Sequence, residues 1–235
     1  MIIGVISGKG GVGKTTTVAN LSVALASVFK KRVLAVDCNP TSPDLPIHLG
    51  LYPYPSSPSK RLLGRPIYHH QSGADLMPCQ VVREKRRLSK RDLKELGYDF
   101  VMLDAPPVGD EPVLKLSDAV LVVTNPDVPA VADALRAVER AERRKLRVLG
   151  VEVNRVGGEE YEVSHAELVA TFDTPVIATI PESGVLRKGI LEGVPIVSKC
   201  PFCKSTVEFK KLAAFLAGEE YHVSVLRRVF GVFMK

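Results

Sequence analysis

Several common sequence features are missing from this chain. Its longest uninterrupted apolar runs, at residues 119–123 and 212–217, hold five and six residues, whereas a membrane-spanning helix needs about 18. The opening stretch MIIGVISGKGG has no basic region followed by an apolar core and a cleavage site, so we expect no secretion signal. Glycine and proline together supply 35 of 235 residues, too few for a collagen-like or low-complexity chain. These absences predict a globular protein of the cytoplasm.

Cysteine is scarce, and acidic residues are outnumbered by basic ones. Four cysteines in a chain without a signal are expected to be reduced thiols or metal ligands before disulfides. The net charge is +6, and residues 83–95 and residues 136–147 each carry a net +4. Both windows are helical in pattern, and we interpret them as solvated helix faces. DNA binding is the less favoured alternative, because no aromatic or base-reading module accompanies them.

Short apolar, β-branched segments alternate with longer helical patterns. The predicted strands are residues 2–7, 32–37, 100–104, 119–124, 148–154 and 176–180, with a short extra strand at 74–77. The predicted helices are residues 15–29, 129–145, 182–192 and 205–217. This alternation predicts the α/β class, with a doubly wound, mostly parallel sheet flanked by helices. We expect a single domain at residues 1–218 and a C-terminal tail at residues 219–235.

Two regions depart from the alternating pattern. Eight of the 17 prolines lie between Pro40 and Pro78, which predicts a long surface loop that serves as a connector or as a partner-binding segment. Residues 221–235 place apolar side chains at helical spacing beside basic ones, as in an interfacial membrane helix. This tail suits a membrane surface, the protein's own surface or a partner protein.

Residues 8–15, GKGGVGKT, match the phosphate-loop pattern G-x-x-x-x-G-K-[ST] between the first predicted strand and the first predicted helix. Glycines let backbone N–H groups surround phosphates, and the helix N-terminus adds its dipole. Lys14 is suited to neutralise β/γ-phosphate charge, and the Thr15 hydroxyl is suited to Mg²⁺. The sequence therefore predicts a nucleoside triphosphate site. Its expected nucleotide-binding residues are Gly10, Gly11, Val12, Gly13, Lys14, Thr15 and Thr16.

A second lysine inside the loop, Lys9, makes residues 9–16 resemble the deviant Walker A motif of the MinD/Mrp/ParA family of P-loop ATPases. The resemblance extends over roughly residues 1–217. It implies an ATP hydrolase that forms an ATP-dependent homodimer, in which Lys9 reaches the partner's phosphates.

Two further stretches resemble the switch regions of this family: residues 36–45 resemble switch I, and residues 98–111 resemble the Walker B strand with switch II. Asp37 would hold Mg²⁺ through water, and Asp104, at the end of a Walker B-like strand, would hold the ion's water ligands. Asn39 stands where the family usually has an aspartate directed at the attacking water, and an amide cannot take that water's proton. We therefore expect slow hydrolysis. The resemblance implies the catalytic residues Lys9, Lys14, Asp37, Asn39 and Asp104, and the Mg²⁺ residues Thr15, Asp37 and Asp104.

The same resemblance implies the base that is bound. Asn154 and Arg155 after one strand, with Pro181 and Glu182 after another, are similar to the family's adenine-binding pair. No Asn-Lys-x-Asp guanine signature is present. ATP is therefore the expected nucleotide.

Cys200-Pro-Phe-Cys203 is the remaining motif. One C-x-x-C offers two thiolates, and two copies meeting at a dimer axis would offer the four of a Zn²⁺ or iron–sulfur site. A redox dithiol and a pair of packed cysteines are the alternatives.

The motif bears on the biological role. Mrp-type members carry a similar motif and a similar switch II, which favours metallocentre assembly, such as nickel insertion for hydrogenase maturation with a metallochaperone or maturation partner. The alternative is a MinD/ParA-like positioning ATPase that cycles on membrane or DNA, with peripheral membrane contact through the tail.

Overall fold

The computed structural model describes residues 1–79, 88–107 and 109–222. The strands are β1 (Ile2–Ile6), β2 (Val33–Asp37), β3 (Lys60–Leu62), β4 (Arg65–His69), β5 (Asp75–Met77), β6 (Phe100–Asp104), β7 (Ala119–Thr124), β8 (Arg147–Val156) and β9 (Val176–Pro181). The helices are α1 (Lys14–Ser27), α2 (Leu45–His48), α3 (Lys90–Glu95), α4 (Glu111–Leu116), α5 (Val128–Arg143), α6 (His165–Thr171), α7 (Gly184–Glu192), α8 (Ile196–Lys199) and α9 (Lys204–Ala217).

All strands join one sheet in the order β3-β4-β5-β2-β6-β1-β7-β8-β9. The run from β5 to β9 is parallel, and β3 and β4 add an antiparallel edge. The central strands β1, β2, β6 and β7 are buried along their whole length, as strands covered by helices on both faces should be. The predicted mostly parallel, doubly wound α/β fold is confirmed.

Two hydrophobic clusters lie on opposite sides of the sheet. One gathers side chains from α1, α8 and α9, and the other gathers side chains from α4, α5 and α6. Side chains alternate along a strand, so neighbours such as Ile2 and Ile3 enter different clusters. The carboxyl ends of the parallel strands meet at one edge of the sheet, where ligands of open α/β folds bind.

The proline-rich region after β2 contains an antiparallel hairpin where a long surface loop was expected. Leu63 and Gly64 connect β3 to β4, with backbone φ of +50° and +85°. Two consecutive positive φ values produce the tight turn that fits the strand twist, and Asn-Gly or Asp-Gly is its usual sequence signal. A leucine gives no such signal. Pro66, opposite Arg61, lacks an N–H group but is tolerated in this edge pair.

The sequence-based expectations for membrane contact fall partly outside the described residues. The tail from residue 223 onward is not described, nor are residues 80–87, which include the first five residues of the basic region at 83–95. Within the described part of the chain, no helix is long and apolar enough to cross a membrane.

Candidate nucleotide site

The phosphate loop turns from β1 into α1 through backbone conformations that only glycine adopts readily. Gly13 precedes the first residue of α1 with φ of +108°. A Cβ at this position would lie 2.1 Å from Asn154 Nδ2. That amide donates to the carbonyl oxygen of Val12 at 2.9 Å and so fixes the loop to the end of β8. The structure therefore brings Asn154 against the P-loop.

Lys14 is buried, with 6% of its surface exposed. Its Nζ donates to Ser7 Oγ at 2.9 Å, and that hydroxyl donates to the carbonyl oxygen of Lys9 at 2.6 Å. Burial lowers the pKa of Lys14, while the nearby Asp104 and Asp110 carboxylates act in the opposite direction. A cation held in such a place is stabilised by an incoming anion. Ser7 was not singled out from the sequence, because it lies just before the motif.

Two carboxylates end adjacent strands next to this lysine. Asp37 of β2 and Asp104 of β6 are register partners. Thr15 Oγ1 donates to Asp104 Oδ2 at 2.7 Å, while Asp104 Oδ1 is buried and no described residue donates to it. Burial raises the pKa of Asp104 to about 7 and that of Asp37 to about 6. Buried carboxylates, an unpartnered oxygen and a hydroxyl form a donor set that fits Mg²⁺ and its waters.

Asn39 uses its side chain within its own loop. Its Nδ2 donates to the carbonyl oxygen of Ser42 at 2.8 Å, and its Oδ1 accepts from Thr41 Oγ1 at 2.8 Å. The backbone N–H of Asn39 in turn donates to Asp37 Oδ1 at 2.8 Å. The asparagine thus organises a tight turn beside the carboxylates.

Lys9 lies at the rim of the loop. Its side chain is 48% exposed, and its Nζ is 3.8 Å from Asp127 Oδ1 at the N-terminus of α5. Such an exposed ion pair is weak and leaves the lysine available to other anions.

The remaining predicted nucleotide contacts lie at the ends of β8 and β9. Arg155 has φ of +59°, and its N–H donates to Asn154 Oδ1 at 2.9 Å. The N–H of Glu182 donates to the carbonyl oxygen of Val156 at 2.9 Å, and its carboxylate pairs with Arg187 at 3.0 Å. Both strand ends therefore lie at the sheet edge that carries the P-loop.

Arg140 of α5 is a site neighbour that the sequence interpretation missed. Its guanidinium donates to Asp110 Oδ2 at 2.9 Å and to the Ser7 carbonyl oxygen at 3.4 Å. It was counted in a solvated basic face, yet it joins the predicted switch II to the start of the P-loop. Its partner lies 30 residues away in the sequence, so no local pattern could have indicated the pair. Arg143 lies on a solvated helix face as predicted, since it pairs with Glu139 and both side chains are exposed.

The expectation that Cys200 and Cys203 hold metal as thiolates does not agree with this structure. Their sulfurs are joined in a disulfide, with the Cα atoms 5.5 Å apart. A disulfide sulfur carries no thiolate charge and is not a ligand for Zn²⁺ or an iron–sulfur cluster. Within the described ranges, no group of three or more His, Cys, Asp or Glu side chains could hold a metal ion.

Comparison with known proteins assigns the family. Residues 3–196 match the model of the CobQ/CobB/MinD/ParA nucleotide-binding domain. The chain belongs to this family. It is therefore a P-loop ATPase, as the deviant Walker A resemblance implied.

Individual relatives agree with that assignment. An uncharacterised ATP-binding protein of Methanocaldococcus jannaschii is 31% identical over 241 residues, which cover 96% of this chain and 91% of the relative. The septum site-determining protein MinD of Thermotoga maritima is 30% identical over 93% of this chain and 88% of its own length. The structure of MinD from Pyrococcus horikoshii in complex with Mg-ADP is similar with a TM-score of 0.81 and 31% identity, and the match covers 92% of this chain and 95% of that one.

Proposed function

We propose that this ATPase is an ATP-dependent dimerising switch with slow hydrolysis, and that its role is MinD-like positioning at a membrane surface. The observation that carries the ATP- and Mg²⁺-binding part of the proposal is an unpartnered carboxylate oxygen beside the P-loop. Asp104 Oδ1 has no donor among the described residues, and the buried Lys14 ammonium has one described acceptor, Ser7 Oγ, for its three protons. Buried polar groups are normally paired, so we expect a ligand to complete the bonding of both side chains.

We assign the roles of the site residues as follows. The P-loop amides of residues 10–16 and Lys14 hold the phosphates of ATP. Thr15, Asp37 and Asp104 hold Mg²⁺, which when bound neutralises charge on the phosphates. Asn154, Arg155, Pro181 and Glu182 surround the base.

The proposed ATP-dependent dimer depends on the side chain of Lys9. Because its side chain is half exposed and only loosely paired with Asp127, it is free to turn toward the phosphates of a facing copy. ATP would then favour the closed pair, and loss of the γ-phosphate would release it.

Slow hydrolysis follows from Asn39. An amide accepts and donates hydrogen bonds but does not remove a proton at neutral pH. The Asn39 amide is also hydrogen-bonded to Thr41 and Ser42. It is therefore poorly placed to orient the attacking water. A long-lived ATP state suits a positioning switch.

The membrane role rests on the MinD relatives and on the basic amphipathic sequence of residues 221–235. We propose residues 1–218 as the ATPase domain and residues 219–235 as the membrane contact. The test is co-sedimentation of the full chain and of a chain ending at Gly218 with anionic vesicles, each with ATP and with ADP. We expect ATP-dependent sedimentation of the full chain only. Equal sedimentation of the two chains would remove the tail from the proposal.

Metallocentre assembly is the second candidate role, favoured by the Mrp-like sequence from Pro106 to Glu111. It requires the Cys200–Cys203 disulfide to open, because only thiolates bind soft metals. Metal content of the reduced protein, compared with a Cys200→Ser/Cys203→Ser variant, tests it. Equal metal content in both would eliminate this candidate.

A further inference from the structure

The Cys200–Cys203 disulfide closes the corner between two helices. Cys200 follows the last residue of α8, and Cys203 is the residue that precedes α9. Both cysteines are partly exposed and also pack against the hydrophobic cluster formed by α1, α8 and α9. Thr206 Oγ1 donates to the carbonyl oxygen of Cys200 at 2.7 Å. This bond holds the corner independently of the disulfide.

Cys203 occupies a position where a helix normally has a hydrogen-bond acceptor. Asp127 and Ser183 take this position in α5 and α7, and each accepts a backbone N–H from the first turn. The Cys203 side chain makes no such bond to the first turn of α9, a helix of 14 residues. A thiolate at this position would accept from those N–H groups and interact favourably with the helix dipole. The fold thus provides a stabilised place for the negative charge that reduction creates.

One lysine ammonium lies at the same corner: Lys210 Nζ donates to the carbonyl oxygen of Pro201 at 2.8 Å. Lys204 follows the motif in sequence, whereas the Lys199 ammonium is paired with Glu192 and adds no net charge there. Positive charge and a helix N-terminus are the two features that lower a cysteine pKa and make it reactive.

We propose that Cys200 and Cys203 form a thiol–disulfide exchange site whose substrate is a thiol donor, either a small thiol or a protein dithiol. The donor thiolate attacks Cys200 Sγ, the sulfur–sulfur bond breaks, and Cys203 leaves as a thiolate. A second donor thiolate attacks the donor sulfur of the mixed disulfide and releases the Cys200 thiolate, which takes a proton. The donor is oxidised by two electrons to its disulfide, and this chain is reduced by the same two electrons.

Cys79 provides an internal contrast. Burial raises the pKa of its thiol. This thiol should therefore react slowly in the same molecule in which Cys203 reacts fast.

The first test compares Cys200→Ser with Cys203→Ser by peptide-resolved iodoacetamide alkylation from about pH 5 to about pH 10. We expect the rate at Cys203 to rise with a midpoint below about 7.5, and the rate at Cys200 to rise near the ordinary value of about 8.5. Slow alkylation of Cys79 in each sample reports that the variant is folded. The reduced unmodified chain gives the same comparison within one molecule if a variant fails to fold. Equal midpoints near 8.5 would overturn the proposal.

The second test follows exchange itself. The full, oxidised chain is mixed with excess reduced glutathione or with dithiothreitol, and free thiols are counted by maleimide mass shift. We expect both donors to open the disulfide in the folded protein, and glutathione disulfide to close it again. Treated with glutathione disulfide, the Cys203→Ser variant should form one mixed disulfide at Cys200 and release one reduced glutathione. A disulfide that opens only after denaturation would contradict the proposal.

Discussion

At the scale of single residues, the site combines a buried lysine with two buried carboxylates. Burial disfavours each charge, so the pKa of Lys14 is lowered while those of Asp37 and Asp104 are raised. These three side chains were identified from the sequence, because the P-loop pattern is local and both aspartates end predicted strands. The hydrogen bond from Lys14 to Ser7 could not be predicted, because it depends on the conformation of the Lys14 side chain.

The first residue-scale prediction concerns Asn39. Asn39→Asp supplies a proton acceptor near the proposed attacking water, and general-base catalysis contributes on the order of 100-fold or more when fully aligned. We expect at least about a tenfold rise in ATP turnover, measured by phosphate release. Ser42→Ala is the control, since it keeps the Ser42 carbonyl that Asn39 contacts and adds no base. Unchanged turnover in Asn39→Asp would contradict the explanation of slow hydrolysis.

A second residue-scale prediction uses Glu152, which lies on β8 beneath α1. It is completely buried, accepts from Thr17 Oγ1 at 2.7 Å, and has a second oxygen with no partner among the described residues. Burial raises its pKa to about 8. The folded chain therefore keeps a proton that the unfolded chain releases above about pH 4.5.

This difference sets the sign of the pH effect. The stabilisation from protonated Glu152 is full below about pH 4.5 and is lost as the pH rises toward about 8. Relative to Glu152→Gln, the unmodified chain should lose on the order of 3 kcal/mol of unfolding free energy between about pH 5 and about pH 8. Urea unfolding at several pH values measures this loss. Glu139→Gln, at an exposed position, controls for the loss of one carboxylate. Parallel pH profiles for all three proteins would refute the conclusion that Glu152 is protonated in the folded chain.

At the scale of secondary-structure elements, the buried parallel strands were predictable because each is a short, β-branched, apolar run. The hairpin of β3 and β4 was not, because its turn uses Leu63 where a standard signal would have asparagine or aspartate. The cysteine corner was only partly predictable. The motif was visible, but the position of Cys203 at the start of α9 depends on where that helix begins.

An element-scale prediction concerns how α5 is attached to switch II. Arg140→Ala removes the partner of the largely buried Asp110 carboxylate, whereas Arg143→Ala removes an exposed pair on the same helix. We expect a loss of about 1–2 kcal/mol in unfolding free energy for the first variant. The second should lose less than about 0.5 kcal/mol. Denaturant unfolding compares them, and equal losses would show that the Asp110–Arg140 pair contributes no more than a surface contact.

At the scale of the whole molecule, sheet order determines which residues meet. β1, β2 and β6 are neighbours, so the P-loop, Asp37 and Asp104 gather at one edge although the two aspartates are far apart in the sequence. That meeting could be predicted, since parallel strands end on the same side of a sheet. The contact of Arg140 with Asp110 could not, because it depends on how a helix packs over that edge.

The switch itself is also a property of the whole molecule. It requires that two copies close over ATP and separate after hydrolysis, with Lys9 serving the facing copy. Sedimentation equilibrium of the chain with ATP, with ADP and without nucleotide tests this claim most directly.

The comparison includes Lys9→Ala and, as a charge-matched control, Lys211→Ala at an exposed position of α9. We expect dimers with ATP and monomers with ADP for both the unmodified chain and the Lys211 variant. The Lys9 variant should bind ATP yet remain a monomer. An unmodified chain that binds ATP and stays monomeric, or a Lys9 variant that dimerises as well as the unmodified chain, would contradict the account.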